Sequence, residues 1–310
     1  MLDGWDCTLD KNGRENGGIT WGPAYTSKHA CSNSPMVSPL VWLAESHKAL
    51  PTYKTFRVLD ADGRLVLKTL RAYEYYLVFA KKIYAWQKRV LYDAQRGACW
   101  DAIWAADDKV TYRTVDGVRY REHIDGKNVG GTFFTYNIGT MISSAADLYR
   151  ATQDATYKSD LRAMVTGSFS FFAPSVVFEG RCYRMFPSVE GFKHNNGAAG
   201  TPWFNDVLLR GYIDAYIIID EAKAPVQAMQ TALDYGYRHH LKAGILPVDL
   251  FAGWQQNNRM NAMYASPERR ITTCWCSTVS EQRQKRIERQ VGKSKFCNSK
   301  RFKPTRIGLD

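Results

Sequence analysis

The sequence predicts a mainly α-helical fold, and three observations carry that reading. Long segments place apolar residues at spacings of three and four, these segments come in pairs joined by short polar turns, and strand-like alternation is confined to short stretches. The chain has 310 residues, of which 45% are hydrophobic and 13% aromatic, enough to build a large core.

Taken in order, the first helical segment is "YEYYLVFAKKIYAWQKRVL", residues 73–91. It sets Tyr76, Phe79, Ala80, Ile83, Trp86 and Val90 on one side, with Lys81, Lys82, Gln87 and Lys88 mostly on the other, which predicts an amphipathic helix of about five turns. "IGTMISSAADLYRATQD" (138–154) and "TYKSDLRAMVTGSFSFFA" (156–173) repeat the pattern and are joined by a polar turn at Gln153 and Asp154. "FNDVLLRGYIDAYIIID" (204–220) and "APVQAMQTALDYGYRHHL" (224–241) form a second such pair. These are helix hairpins stacked side by side, expected over residues 37–241 around a common axis. The clearest strand signal is "TFRVLDADGRLVLKTL" (55–70), a hairpin expected to turn at Asp62 and Gly63.

Charge is distributed unevenly. From Glu281 to Asp310 ten basic residues face three acidic ones, so more than half of the net +12 sits in a tail without apolar periodicity. That tail is expected to be disordered and dispensable to residues 1–280, which form the single folded domain. Nucleic acid is not an expected partner, because charge alone gives only non-specific attraction. The seven cysteines, among them Cys7, Cys31, Cys99 and Cys182, show no CxxC spacing, so neither a metal site nor a disulfide framework is expected. No cofactor is implied either. No run of about 18 apolar residues and no secretory leader is evident, so the chain carries no address of its own, and a monomer is expected.

Between the hairpins lie loops rich in Gly, Asn and aromatics: "ENGGITWGPAYTSKHACSNSP" (15–35), "KNVGGTFFTYNIGT" (127–140) and "FKHNNGAAGTPWFND" (192–206). Such loops suit a sugar. An aromatic ring covers the apolar face of a pyranose, while Asn, Lys and Tyr bond its rim of hydroxyls. All three loops are expected at one rim of the hairpin array.

At these residues the sequence resembles a family. "NGGITWGP", "SKHACSN", "YLVFAKKIYAWQKRVLYDAQRGACWDAI" and "FTYNIGTMISSAADLYRATQDATY" read in order like the bacterial α-1,6-mannanases of glycoside hydrolase family 76. The resemblance runs from about residue 4 to residue 255, and its most specific piece is the turn at Tyr136, Asn137 and Gly139. It implies an (α/α)6 toroid, here incomplete, whose cleft binds α-mannan or mannose oligosaccharides and hydrolyses them internally with retention of configuration. By the same analogy Trp21, Lys28, Asn33, Tyr136, Asn137 and Gly139 contact substrate. Members of the family are secreted, periplasmic or surface-attached.

The catalytic residues remain unassigned. The family carries two consecutive Asp in a segment like "DDNAWW" before its Gly-Gly-x-x-Trp motif. Here that motif is Gly17, Gly18 and Trp21, and the acids ahead of it, Asp3, Asp6, Asp10 and Glu15, are never adjacent. A chain truncated at its N-terminus, with an atypical C-terminal tail, is the expectation. Asp107 and Asp108 are adjacent but follow the motif, and the polar stretch around them, with Lys109 next, would keep both ionised. A retaining pair needs one protonated acid and one ionised nucleophile. The alternative to an active hydrolase is a catalytically inactive remnant that binds mannan weakly at most.

Overall fold

The computed structural model describes residues 4–186, 202–240 and Gly244, except residues 11, 23, 24, 61, 63, 108, 116, 122–124, 174, 179, 180 and 185. Its helices are α1 (Ala30–Asn33), α2 (Val37–His47), α3 (Ala72–Val90), α4 (Thr135–Thr152), α5 (Ala155–Phe172), α6 (Pro202–Tyr216) and α7 (Lys223–His240). The paired pattern of the sequence is therefore realised to within a few residues at each end. The turn between α4 and α5 shows how the local chemistry works. Gln153 closes α4 in the left-handed conformation at φ 56°, and the Asp154 side chain accepts the Thr156 amide to start α5.

Three of these helices run side by side in the same direction. The hydroxyl of Ser144 in α4 donates to the carbonyl of Ser34 just before α2, and one turn further along the Asp147 carboxyl bonds Ser38. Across the other flank of α4, Phe204 lies 4.7 Å from Tyr136, and Ser143 donates to Asp214 at 2.9 Å. Residue numbers rise together on all three helices, so α2, α4 and α6 are parallel and form the inner layer. Each packs against the helix that follows it, α3, α5 or α7, in an outer layer. Lys88 and Tyr84 of α3 tie that layer together by both bonding Asp160 of α5, at 2.6 and 2.8 Å.

The core lies between the layers. Ile138, Met141, Ile142, Ala145 and Leu148 of α4 are buried together with Ile83, Leu161, Val165, Leu208 and Tyr212, each large aliphatic side chain contributing about 1.5–3 kcal/mol. The α4–α6 contact is closest at two glycines. A β-carbon on Gly139 would sit 2.6 Å from the Val207 carbonyl oxygen and 2.7 Å from the Leu208 Cα, and one on Gly211 would sit 2.5 Å from the Gly139 carbonyl oxygen. Only hydrogen fits between these backbones.

The strands are β1 (Ser27–His29), β2 (Tyr53–Leu59), β3 (Leu65–Arg71), β4 (Tyr92–Asp93), β5 (Ala98–Cys99), β6 (Ala102–Ala105), β7 (Tyr112–Val115), β8 (Val118–Arg121), β9 (Gly126–Gly130), β10 (Ser175–Phe178) and β11 (Arg181–Arg184). The β2–β3 hairpin is the one read from the sequence, two residues longer at its start, and Gly63 at its turn lies outside the described residues. The other pairings were not anticipated. Most important is the three-stranded sheet β1-β6-β9, which pairs Ser27 with Trp104 and Ile103 with Val129. Two of the loops expected to be irregular thus contribute a strand each, and that sheet lies at the starts of α1 and α4. The basic tail, residues 281–310, lies outside the described residues.

Candidate functional site at the mouth of the inner helices

Because α2, α4 and α6 are parallel, their starting ends meet on one side of the layer, where the segments leading into α2 and α4 lie; residues 187–201, which hold most of the third aromatic loop, lie outside the described residues. The first of those segments is the N-terminal loop. It folds back on itself through Trp5 opposite Ile19 and Leu9 opposite Glu15, with Asp6 and Gly17–Gly18 exchanging backbone hydrogen bonds. Gly17 and Gly18 have φ of 72° and 82°, and a β-carbon on Gly18 would stand 2.5 Å from the Trp86 ring of α3. The double glycine of the motif therefore serves both the left-handed turn and the close seating of the loop on Trp86.

Lys28 and Asn33 fasten this loop. Lys28 is only 5% exposed, and its ammonium lies 2.7 Å from Asp6 Oδ2 and 2.6 Å from the Gly17 carbonyl. Asn33 is buried at the end of α1. Its Oδ1 accepts the Ile19 amide at 2.8 Å, and its Nδ2 donates to the carbonyls of Ile19 and His29. The structure places both side chains beneath the rim, holding up the segment that carries Trp21. Gly139 likewise sits within α4 against α6. Of the residues expected to touch sugar, Trp21 lies at the mouth, and half-buried Tyr136 and fully buried Asn137 lie at the start of α4, where both bond Asp101.

Trp21 is 55% exposed and packs against Tyr25 and His29 with ring centroids 4.8 and 4.9 Å away. Trp104 of β6 meets the His29 ring edge-on at 5.9 Å. Below this aromatic rim lies Asp101, in the turn between β5 and β6 and 18% exposed in its side chain. Its backbone carbonyl accepts the Ala30 amide at 2.8 Å, which locks the turn to α1. Its carboxylate accepts the Asn137 side-chain amide at 3.3 Å, bonds the Tyr136 hydroxyl, and stands 3.6 Å from His29 Nδ1. Phe134 stacks on Tyr136 at 5.3 Å, and Phe204 of α6 closes the far side.

Electrostatics single out Asp101. Burial pushes the Tyr136 phenol well up, and the Asp101 charge adds to the shift; burial and the same carboxylate also raise the Cys31 thiol. Both groups therefore stay protonated near neutral pH. A carboxylate with amide and hydroxyl neighbours, set below exposed indole and phenol rings, can accept a ligand's hydroxyl protons while the rings cover an apolar face. Asp101, His29, Tyr25 and Trp104 were missed in the sequence. The signal that could have found Asp101 is a lone acid among apolar neighbours, "ACWDAI", since a buried carboxylate needs partners.

The other acids are engaged elsewhere. Asp6 also accepts the Thr8 hydroxyl, Asp10 accepts the amides of Asn12 and Arg14, and Glu15 binds Trp5 and Lys82. Asp107 is exposed and accepts the Lys109 amide at 2.9 Å in a surface turn, while Asp3 and Asp108 lie outside the described residues. Among the described residues no three of His, Cys, Asp and Glu gather as a metal ion would require, and no helix is long and apolar enough to cross a membrane.

The profile of glycosyl hydrolase family 76 matches residues 63–232, a span that holds Asp101, Tyr136 and Asn137. Among solved structures, the family 76 mannosidase Bt3792 of Bacteroides thetaiotaomicron aligns with 80% of this chain and 53% of its own length, at 18% identity and a TM-score of 0.55. A family 76 glycoside hydrolase from a bovine Bacteroides thetaiotaomicron strain aligns over 80% of this chain and 42% of its own length, at 18% identity and a TM-score of 0.53. Dfg5 of Chaetomium thermophilum, solved in complex with glucosamine, aligns over 77% and 49%, at 15% identity and a TM-score of 0.51. The chain thus spans about half the length of the solved structures it matches, and no curated protein sequence matches it. At these identities the likeness is one of fold, the (α/α)6 toroid of helix hairpins. With more than half of its residues under the family's profile, the chain belongs to glycosyl hydrolase family 76.

Proposed function

We propose that this chain is a glycoside hydrolase-like protein that acts on α-1,6-linked mannan, with retaining internal cleavage as its reaction. The observation that carries the reading is Asp101, an anion held by Asn137 and Tyr136 below the Trp21 and Trp104 rings. In this reading Trp21 covers the apolar face of a mannose unit, and Asp101 accepts protons from its ring hydroxyls. Tyr136 and Asn137 keep that carboxylate in place. The family supports the substrate class, since its profile covers this part of the chain and Bt3792 is named as a mannosidase.

A second reading is favoured by a specific observation. Retaining hydrolysis needs two carboxyl groups about 5–5.5 Å apart, one of them protonated, whereas Asp6 is committed to Lys28 of β1, Glu15 to Lys82 of α3, and Asp10 to backbone amides of its own loop. On that account the chain is a mannan-binding module without turnover. Both readings require sugar at the mouth. Calorimetric titration with α-1,6-mannotriose should show binding, and Asp101→Asn should weaken it at least tenfold, as expected for a hydrogen bond to a charged group of about 1.5–3 kcal/mol. Undiminished affinity in that variant would remove Asp101 from the site. Release of shorter oligosaccharides from α-1,6-mannan separates the hydrolase from the binding module.

A further inference from the structure

We propose that His29 is a positioning residue for sugar recognition, one that governs how freely Asp101 accepts a ligand hydroxyl; this rests on the mannan reading above. The imidazole is fixed on three sides. Its face lies 4.9 Å from the Trp21 ring at 34°, its edge meets Trp104 at 5.9 Å and 78°, and its Nε2 is 3.0 Å from Ser27 Oγ. The remaining nitrogen, Nδ1, points to Asp101 Oδ2 at 3.6 Å. That separation is too long for a hydrogen bond from a neutral ring, but it is within ion-pair range of a charged one.

The two oxygens of Asp101 are thereby divided. Oδ1 accepts the Asn137 amide, Oδ2 faces His29, and the Tyr136 hydroxyl bonds the same carboxylate. Opposite a neutral imidazole, Oδ2 keeps its capacity to accept a sugar hydroxyl. When His29 is protonated, both ring nitrogens are donors. Nδ1 then pairs electrostatically with Oδ2 across 3.6 Å, and the incoming hydroxyl must compete with that positive charge. The other groups around the ring do not offset this change. Cys31 of α1 and Tyr136 of α4 are held protonated by burial and by Asp101 itself. Tyr25 meets Trp21 on the rim, and Lys28, next along β1, is turned toward Asp6 and the Gly17 carbonyl. The pair is also shielded, with side chains 12% and 18% exposed, so solvent does not screen it fully.

Histidine changes charge between about pH 5 and 8, so affinity for a neutral sugar should fall as pH falls through that range. A partly shielded ion pair implies a change of about three- to tenfold. The test is calorimetric binding of α-1,6-mannotriose to the full chain at pH 5.5 and 7.5, for the wild type and for His29→Gln, whose amide keeps a polar group there without gaining charge. The wild type should bind three- to tenfold more weakly at the lower pH, and the variant should bind equally at both. Equal wild-type affinities, or a variant that keeps the fall, overturn the proposal while leaving mannan binding intact. Absence of binding at either pH overturns the mannan reading and this proposal with it.

Discussion

Gly139 belongs to the turn that most specifically marks the family, yet its place in the structure is a helix crossing, and replacing it tests which description governs. In Gly139→Ala the new methyl would meet the Val207 carbonyl oxygen at 2.6 Å and the Leu208 Cα at 2.7 Å. Both atoms are backbone, so no rotamer change relieves the contact and α6 must move away. Overpacking of this kind costs about 1–3 kcal/mol, and a rigid obstacle places it at the upper end, about 3 kcal/mol. Alanine recovers roughly 1 kcal/mol through its better helix propensity. The net loss is about 2 kcal/mol, or about 4–8 °C in melting temperature for a domain of this size. Thermal unfolding followed by far-UV circular dichroism at neutral pH measures it. Gly211→Ala should behave alike, since its methyl would meet the Gly139 carbonyl oxygen at 2.5 Å. The double variant should lose less than the two single losses added together, because one displacement of α6 relieves both contacts. An unchanged or raised melting temperature in either single variant would refute the reasoning.

Other consequences follow from the same contacts. Lys28→Met leaves the Asp6 carboxylate shielded without its ammonium and should cost about 3 kcal/mol by chemical denaturation; a loss below about 1 kcal/mol would show that the pair is not structural. Asn33→Ala removes the bonds to Ile19 and the His29 carbonyl. It should cost about 1–3 kcal/mol and also weaken mannotriose binding, by loosening the segment that carries Trp21. Burial pushes the Asp147 carboxyl up, against Ser38 and Arg150, so its folded value lies above the unfolded one near 3.9. Its charged form therefore costs stability, a cost absent below the unfolded value and complete above the folded one. Asp147→Asn should flatten the fall in urea midpoint as pH rises above about 4, and an identical pH profile would count against this. Replacing Asp107 and Asp108 by Asn should leave mannan binding and any turnover unchanged, as measured by calorimetry and oligosaccharide release.

What could be read from the sequence, and what could not, divides along the range of the interactions. The helices were legible because their signal is local. Spacings of three and four put Phe79, Ile83 and Trp86, or Met141, Ala145 and Leu148, on buried faces, and Gln153–Asp154 carries its own stop and start chemistry within four residues. The sheet β1-β6-β9 was not legible, since its strands have three to five residues each and no alternation. Its register follows from pairings such as Lys28 with Ile103, between segments far apart in the chain. That sheet is what brings His29 beside Asp101, so missing it meant missing the carboxylate at the centre of the site.

The motif residues show the complementary limit. Resemblance named Trp21, Lys28, Asn33, Tyr136, Asn137 and Gly139 as residues that contact substrate, but it does not separate a side chain that meets a ligand from one that holds the loop above it. Burial and bonding separate them: Lys28 and Asn33 are fully engaged with the N-terminal loop, Gly139 with α6, and the exposed Trp21 with its neighbours on the rim. Substitutions should accordingly fall into two kinds. At Lys28, Asn33 and Gly139 stability should change first and affinity should follow from it, whereas Trp21→Ala should lower affinity for mannotriose with little change in melting temperature. A ring 55% exposed has little burial to lose, while stacking on a sugar would be lost outright. If Trp21→Ala instead lowered the melting temperature as far as Gly139→Ala, with the affinity of the folded protein unchanged, Trp21 would be a packing residue and the sugar platform would have to lie elsewhere.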